Sequence, residues 1–263
     1  AAPDPGAIPG HLTQLLGEEH TTYGQFDSRA LAGGRTVCAI SAGRQIPAES
    51  AAAKFDPNED AVLAMDSGDA VLLAVADAHH GRQSSHELLR ALARTLTPDV
   101  PNLHELAEAL AGIDPTPPES ATMSETTLLV VVYARGSRRG FGLSFGDSSA
   151  LLVGTDPEPR RLVEKKGVFV TPARPEGLAR DRGEAFRFVG APGGLLVAFT
   201  DGIDECCYRD PRRSVRRSHL QALLDRHGPQ ADAYARALAR QALIGVDGHP
   251  GGQDNLALAV AET

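Results

Sequence analysis

The chain has 263 residues and a mass of 27.6 kDa, enough for one sizeable core and short for two full-sized domains. Apolar residues make up 42% and charged residues 23%, which excludes wholesale disorder. With 26 basic and 34 acidic residues the formal charge is −8, a sign that argues against binding nucleic acid through bulk charge.

Three cysteines, two of them adjacent, make no disulfide framework. The longest apolar runs, residues 70–76 and 128–134, fall far below the roughly 18 residues of a membrane helix. No charged segment followed by an apolar one marks the beginning of the chain, so a soluble, reducing, cytoplasmic setting and no membrane partner are expected. Residues 1–30 read as a loosely structured lead-in with a short helix around 11–16. Thr36-Val37-Cys38-Ala39-Ile40 reads as a strand, and 47–58 as a connection. Two apolar stretches, 61–65 and 70–76, flank Asp66-Ser67-Gly68-Asp69 and predict a hairpin.

A helical block follows. Ser84 with Glu87 suggests a capping box ahead of Leu88, Leu89 and Leu92. Asn102 with Glu105 does the same for a helix that Gly112 and Pro115 end. Strands are predicted at 126–133, 140–145 and 150–153. The Pro-, Gly- and charge-rich span 154–193 reads as an irregular excursion with weak strands at 168–170 and 185–189. After a strand at 195–200 come two helices, near 220–226 (capped by Ser218 with Gln221) and 231–243 (closed by Gly245), and a last strand at 256–260. Hairpin-like links outnumber crossovers, which predicts an α+β architecture with mostly antiparallel sheets. No internal repeat or composition shift divides residues 1–263, so one domain is expected.

Several apolar runs meet an acid in a turn. Residues 71–76 run into Asp77-Ala78-His79-His80-Gly81, 141–145 into Gly146-Asp147-Ser148, and 195–199 into Thr200-Asp201-Gly202. Gln253-Asp254-Asn255 opens the last strand, and Glu59-Asp60 precedes the strand at Ala61. Asp in a Gly-containing turn is an ordinary turn former. Acids at the ends of several neighbouring strands are different, because they would converge and raise one another's pKa unless a cation joined them. Oxygen ligands without Cys or clustered His favour Mg²⁺ or Mn²⁺ over Zn²⁺.

In this order the segments Asn58-Glu59-Asp60-Ala61, Asp77-Ala78-His79-His80-Gly81, Thr126-Thr127, Gly146-Asp147-Ser148, Thr200-Asp201-Gly202-Ile203 and Gln253-Asp254-Asn255 resemble the metal-dependent protein Ser/Thr phosphatases of the type 2C family. The resemblance implies a four-layer α-β-β-α sandwich, two central antiparallel sheets flanked by helix pairs. It also implies two Mg²⁺ or Mn²⁺ ions, with Asp77 bridging both. Glu59 and the carbonyl of Ala78 would complete one site, and Asp201 and Asp254 the other. Asp147 would help to hold a third, weaker ion. Asp60 and Asn255 would orient the ligands, and His79 would protonate the leaving group. Two ions about 3.5–4 Å apart activate a bridging water for in-line attack on phosphorus.

The chain departs from the family pattern in places. Where the family carries a phosphate-gripping arginine this chain has Phe55, whose bland reading is a core residue. Lys54 beside it and Arg44 upstream are the candidates to hold substrate phosphate, though Lys lacks the planar fork of Arg. Ala78 replaces a glycine, which requires that its backbone need no positive φ. The span between Asp147 and Asp201 is a short, divergent flap. Arg209, Arg212, Arg213, Arg216 and Arg217 form a basic run that either recruits anions or is a solvated loop. His80 and His86 read as surface or capping residues. The expected substrate is a phosphoserine or phosphothreonine protein. The alternatives are a small phosphorylated metabolite or an idle, phosphatase-like regulatory module. A monomer is expected.

Overall fold

The computed structural model describes residues 11–45, 54–113, 124–154, 156, 158–165, 168–170, 178 and 182–263. The chain forms β1 (Leu12–Leu16), β2 (Asp27–Leu31), β3 (Thr36–Ser41), β4 (Asp60–Asp66) and β5 (Ala70–His79), then α1 (Gln83–Thr95) and α2 (Leu103–Ala111). Next come β6 (Glu125–Thr126), β7 (Leu128–Ala134), β8 (Arg139–Phe145), β9 (Ser149–Val153), β10 (Arg160–Arg161), β11 (Glu184–Val189) and β12 (Leu195–Phe199). The last elements are α3 (Arg217–His227), α4 (Ala231–Ile244), the short pair β13 (Gly245–Val246) and β14 (His249–Pro250), and β15 (Leu256–Glu262). One sheet has the order β1-β4-β5-β7-β8-β11, with β6 on β5, and the other has the order β10-β9-β12-β15-β3-β2. Both are antiparallel.

Alternation along the strands builds four layers. Leu63, Met65, Leu72, Leu128, Val130 and Val132 pack with Leu88, Leu89 and Leu92 of α1 and Leu106 of α2. Their neighbours Val62, Val71, Leu73, Val75, Leu129 and Val131 face the other sheet. β4, β5 and β7 are therefore buried on both faces, which is why they read as unbroken apolar runs. In the second sheet Val197, Phe199, Leu258 and Val260 pack with Leu220, Leu224 and Leu238 of α3 and α4. Its inner face carries Ala150, Ala198, Ala257, Ala259 and Ala261, small side chains that leave room for the larger ones opposite. At one end Arg135 grips Asp66 with two bonds of 2.8 Å, and Thr36 of the second sheet donates to the same carboxylate at 2.5 Å. Burial raises the Asp66 pKa, but the Arg135 and Thr36 bonds outweigh it and hold the carboxyl below its usual range.

The layers are those expected, with corrections at the edges. Residues 11–31 carry two edge strands rather than a loose lead-in with a helix. The Leu12, Leu15, Leu16 spacing suits a helix, but β1 finds its backbone partners on β4, with Leu12 opposite Met65 and Leu16 opposite Ala61. Pairing with a distant strand overrides a local pattern. The first part of the chain, residues 1–10, lies outside the described residues. Ser84 is not a cap: the helix starts at Gln83 with Arg82 as N-cap, and the Ser84 hydroxyl meets Ser124 at 2.6 Å. Ser218 lies inside α3, whose N-cap is Arg216, and His219 Nδ1 accepts the Arg216 N–H at 3.0 Å. Asn102 does cap α2, accepting from the N–H groups of His104 and Glu105.

His86 is a further correction. It is 1% exposed, and its Nε2 accepts the Gly17 N–H at 3.1 Å, tying the turn after β1 to α1. Burial pushes its pKa down to about 4, with Glu18 opposing. The folded-state value lies below the unfolded one, so the unfolded chain takes up the proton first. The stability from a neutral His86 is complete above about pH 6.5 and is lost as pH falls towards 4, by about 3 kcal/mol in all. Urea unfolding of wild type and His86→Gln at pH 7 and pH 4 should show the gap between them shift against wild type by about that amount. An unchanged gap would mean that His86 is not held neutral.

Candidate metal centre

Strand ends bring the acids together. In the β4–β5 hairpin Asp60 lies opposite Asp77, with Glu59 just ahead of β4. In the second sheet Phe199 lies opposite Leu258, so Thr200-Asp201 leaves β12 beside the segment Asp254-Asn255 that enters β15. Asp147 lies in the turn between β8 and β9. These acids all gather where corresponding ends of the two sheets meet.

Hydrogen bonds across the seam fix the cluster. Glu59 Oε1 accepts N–H groups from Gly81 at 2.8 Å, Phe55 at 3.1 Å and Asp56 at 3.2 Å. Asn255 Oδ1 accepts the Glu59 N–H at 2.9 Å, while its Nδ2 donates to the carbonyls of Ala42 and Pro57. Thr200 donates to Asp60 Oδ2 at 2.7 Å. Thr127 Oγ1 accepts the Asp77 N–H at 2.9 Å and meets Ser148.

The electrostatics are those of crowded, buried carboxyls. Burial first, then the charge of Asp77, pushes Asp60 well above the usual carboxylate range. Asp201 is pushed up the same way by burial and then by Asp77, Asp254 and Asp147. Burial raises Asp254, with Lys54 opposing and Asp77 adding to it, and burial raises Asp147, with Lys165 opposing. For Asp77 burial acts upwards, but Lys54 and His79 outweigh it and the carboxyl is lowered.

Lys54 Nζ lies 3.0 Å from Asp254 Oδ1, 3.4 Å from Asp77 Oδ1 and 3.9 Å from Glu59 Oε2. Among the described residues no three acid, histidine or cysteine side chains already stand in ligating geometry about one point; the ammonium lies among three of them instead. The residues nevertheless fit a divalent cation. Glu59 Oε2 and Asp201 Oδ1 are buried without a hydrogen-bond partner, a state that a bound cation relieves. The donor set is all oxygen, which suits Mg²⁺ or Mn²⁺.

No family model matches the sequence, and no curated protein matches it. Solved structures do. The S. agalactiae serine/threonine phosphatase aligns at 15% identity over 91% of this chain and 100% of that one, with a TM-score of 0.63. The catalytic domain of the serine/threonine protein phosphatase PstP, in complex with two manganese ions, aligns at 19% identity over 90% and 97%, TM-score 0.59. RsbX in complex with magnesium aligns at 11% over 90% and 98%, TM-score 0.57. This chain has the type 2C phosphatase fold.

On this type 2C fold the candidate residues separate into two groups. Glu59, Asp60, Asp77, Asp201, Asp254, Asn255 and Lys54 interlock as described. His79 joins them, its Nε2 3.8 Å from Asp77 Oδ2 and its Nδ1 4.0 Å from Glu125. Ala78 is fully buried and is not among the residues with positive φ, so its backbone makes no demand for glycine. Phe55 is 77% exposed and meets His80 edge-on with ring centroids 5.7 Å apart; it is not a core residue. Arg44 is exposed, its side chain lying across Gly252, and its N–H donates to the Gly252 carbonyl in the loop that carries Asp254.

The basic run lies apart from the acids. Arg212 and Arg213 pair with Asp210. Arg212, Arg216 and Arg217 line a cavity of about 680 Å³ with Arg161 and Asp204, and none of them contacts an acid of the cluster in the described residues. Sequence reasoning missed Asp56, which accepts the Arg82 N–H at the start of α1 and pairs with its guanidinium. It also missed Lys165, paired with Asp204 and Glu205 at 2.9 Å. Neither contact is local, so no spacing signals it.

Gly202 and Asn255 show how closely the two loops fit. A Cβ on Gly202 would stand 1.6 Å from the Asn255 carbonyl oxygen, so only glycine fits after Asp201. Asn255→Ala should strand the buried Glu59 N–H and two carbonyls, lowering stability by about 2–4 kcal/mol in chemical denaturation. A loss under about 0.5 kcal/mol, the scatter of surface substitutions, would show that the bridge carries no weight.

Proposed function

We propose that this protein is a metal-dependent phosphomonoester hydrolase acting on phosphoserine or phosphothreonine in proteins. The observation that carries the reading is the buried carboxyl cluster at the seam of the two sheets, with Glu59 Oε2 and Asp201 Oδ1 left without partners. Solved structures of the same fold described with manganese and magnesium support it.

In this reading Asp77, Glu59 and the Ala78 carbonyl would hold one ion, and Asp77, Asp201 and Asp254 would hold the other. Asp147 would contribute to a third. Bound Mg²⁺ or Mn²⁺ supplies Lewis acidity, making a bound water nucleophilic and offsetting phosphate charge. The chain does the rest. Asp60 and Asn255 hold the carboxylates in place through Thr200 and the Glu59 N–H. His79, half-exposed at the end of β5, donates the proton that the leaving alkoxide needs. Arg44, next to the Asp254 loop, and Lys54 meet the substrate phosphate. Arg212, Arg213, Arg216 and Arg217 act, if at all, at a distance by attracting anions.

The exposed Phe55 favours one second reading. An aromatic ring where an arginine would grip phosphate suits a small phosphorylated metabolite with an apolar face. A panel of phosphopeptides and of sugar, nucleotide and cofactor phosphates separates the two, and preference for phosphopeptides sinks the second.

Release of phosphate from an aryl phosphate should require Mn²⁺ or Mg²⁺ and stop with EDTA. Asp77→Asn and Asp201→Asn should each lower it at least about 100-fold, the upper end of what outer partners of a metal site cost. A protein that binds Mn²⁺ but turns over neither the aryl phosphate nor any member of the panel would instead be the idle regulatory module.

A further inference from the structure

Lys54 sits in an unusual place for a surface-type residue. Its side chain is 14% exposed, and its ammonium lies 3.0 Å from Asp254, 3.4 Å from Asp77 and 3.9 Å from Glu59, acids drawn from both sheets. The oxygens it approaches, Asp254 Oδ1, Asp77 Oδ1 and Glu59 Oε2, belong to the side chains assigned above to the ions. Glu59 leaves no slack, since its other oxygen is already taken by three backbone N–H groups. An ammonium and a divalent ion cannot both stand at this point among the three oxygens, because two cations at contact distance repel.

We infer that Lys54 is a resident cation of the cluster, which Mn²⁺ or Mg²⁺ must displace, so that this side chain sets the metal concentration at which the site fills. The inference rests on the metal-centre reading given above. A lysine suits this role, being a compact point charge on a flexible four-carbon stem that can leave without its backbone moving. The backbone beside it stays put, because the N–H groups of Phe55 and Asp56 are bonded to Glu59. One ammonium does not satisfy the cluster, as Glu59 Oε2 and Asp201 Oδ1 still lack hydrogen-bond partners. A divalent ion brings more charge to the same oxygens and therefore wins at sufficient concentration. Below that concentration the lysine keeps like charges from facing one another unpaired in the folded chain.

The test is Mn²⁺ titration by calorimetry, together with thermal unfolding of the EDTA-treated protein, for wild type, Lys54→Met and Lys54→Gln. Either uncharged variant should bind Mn²⁺ about 10-fold more tightly or better, the worth of one charge-assisted contact. Its metal-free form should melt below metal-free wild type, and Mn²⁺ should raise its melting temperature by more. Lys54→Arg should behave like wild type in both measurements. Mn²⁺ affinity in Lys54→Met and Lys54→Gln within twofold of wild type, or weaker, overturns the inference and leaves the metal-centre reading standing. A side chain that only grips substrate would give this result, with a raised KM. Failure of every variant and of wild type to bind Mn²⁺ overturns the metal-centre reading and this inference with it.

Discussion

The carboxyl groups of Glu59, Asp60, Asp77 and Asp254, buried at the seam of two sheets with the partly buried Asp201, are the constraint around which the molecule is arranged. Two like charges about 4 Å apart repel by about 4 kcal/mol at the effective dielectric of a protein, while a whole domain is stable by only about 5–15 kcal/mol. The cluster persists because much of its charge is answered. Three N–H groups face one oxygen of Glu59, Lys54 faces Asp77 and Asp254, and burial keeps Asp60 and Asp201 towards their neutral forms. What is left over, Glu59 Oε2 and Asp201 Oδ1 without hydrogen-bond partners, is an unmet demand for positive charge.

The scaffold is built to hold that seam. Alanines on the inner face of the second sheet leave room for the leucines and valines of the first. Asn255 and Thr200, from the second sheet, bond to Glu59 and Asp60 of the first, so the acids are fixed across the join rather than within one layer. At the opposite end of the β4–β5 hairpin the Asp66–Arg135 pair with Thr36 fastens the sheets again. Loops that carry the acids are short and pinned; the Asp254 loop hangs on α4 through N–H groups of Gly251 and Gly252 bonded to the carbonyls of Ile244 and Ala242.

Strong local patterns were legible. β4, β5, β7, β12 and β15 are apolar runs between turn residues, α2 carries its own Asn102 cap, and Gly245 with φ 112° ends α4 as expected. The acids at the strand ends were legible for the same reason, since a polar residue ending an apolar run marks where a strand leaves the core. β1 and β2 were not, because an edge strand takes its identity from a partner remote in sequence. Ser84 misled because a hydroxyl suited to capping was claimed by Ser124 instead. His86 carries no sign in its own neighbourhood that it will be buried against Gly17.

The sequence by itself determined which residue types stand at the strand ends, the antiparallel α+β class, and a resemblance to type 2C phosphatases that the fold shares. Local periodicity and turn chemistry suffice for these, because they act within a few residues. Only the tertiary structure decided that Lys54 points into the acids while Phe55 points out to His80, that Arg212, Arg213, Arg216 and Arg217 stand apart from them, and that Asn255 bridges the sheets. Those outcomes depend on distances between residues far apart in the chain, and they are set when the two sheets close on each other.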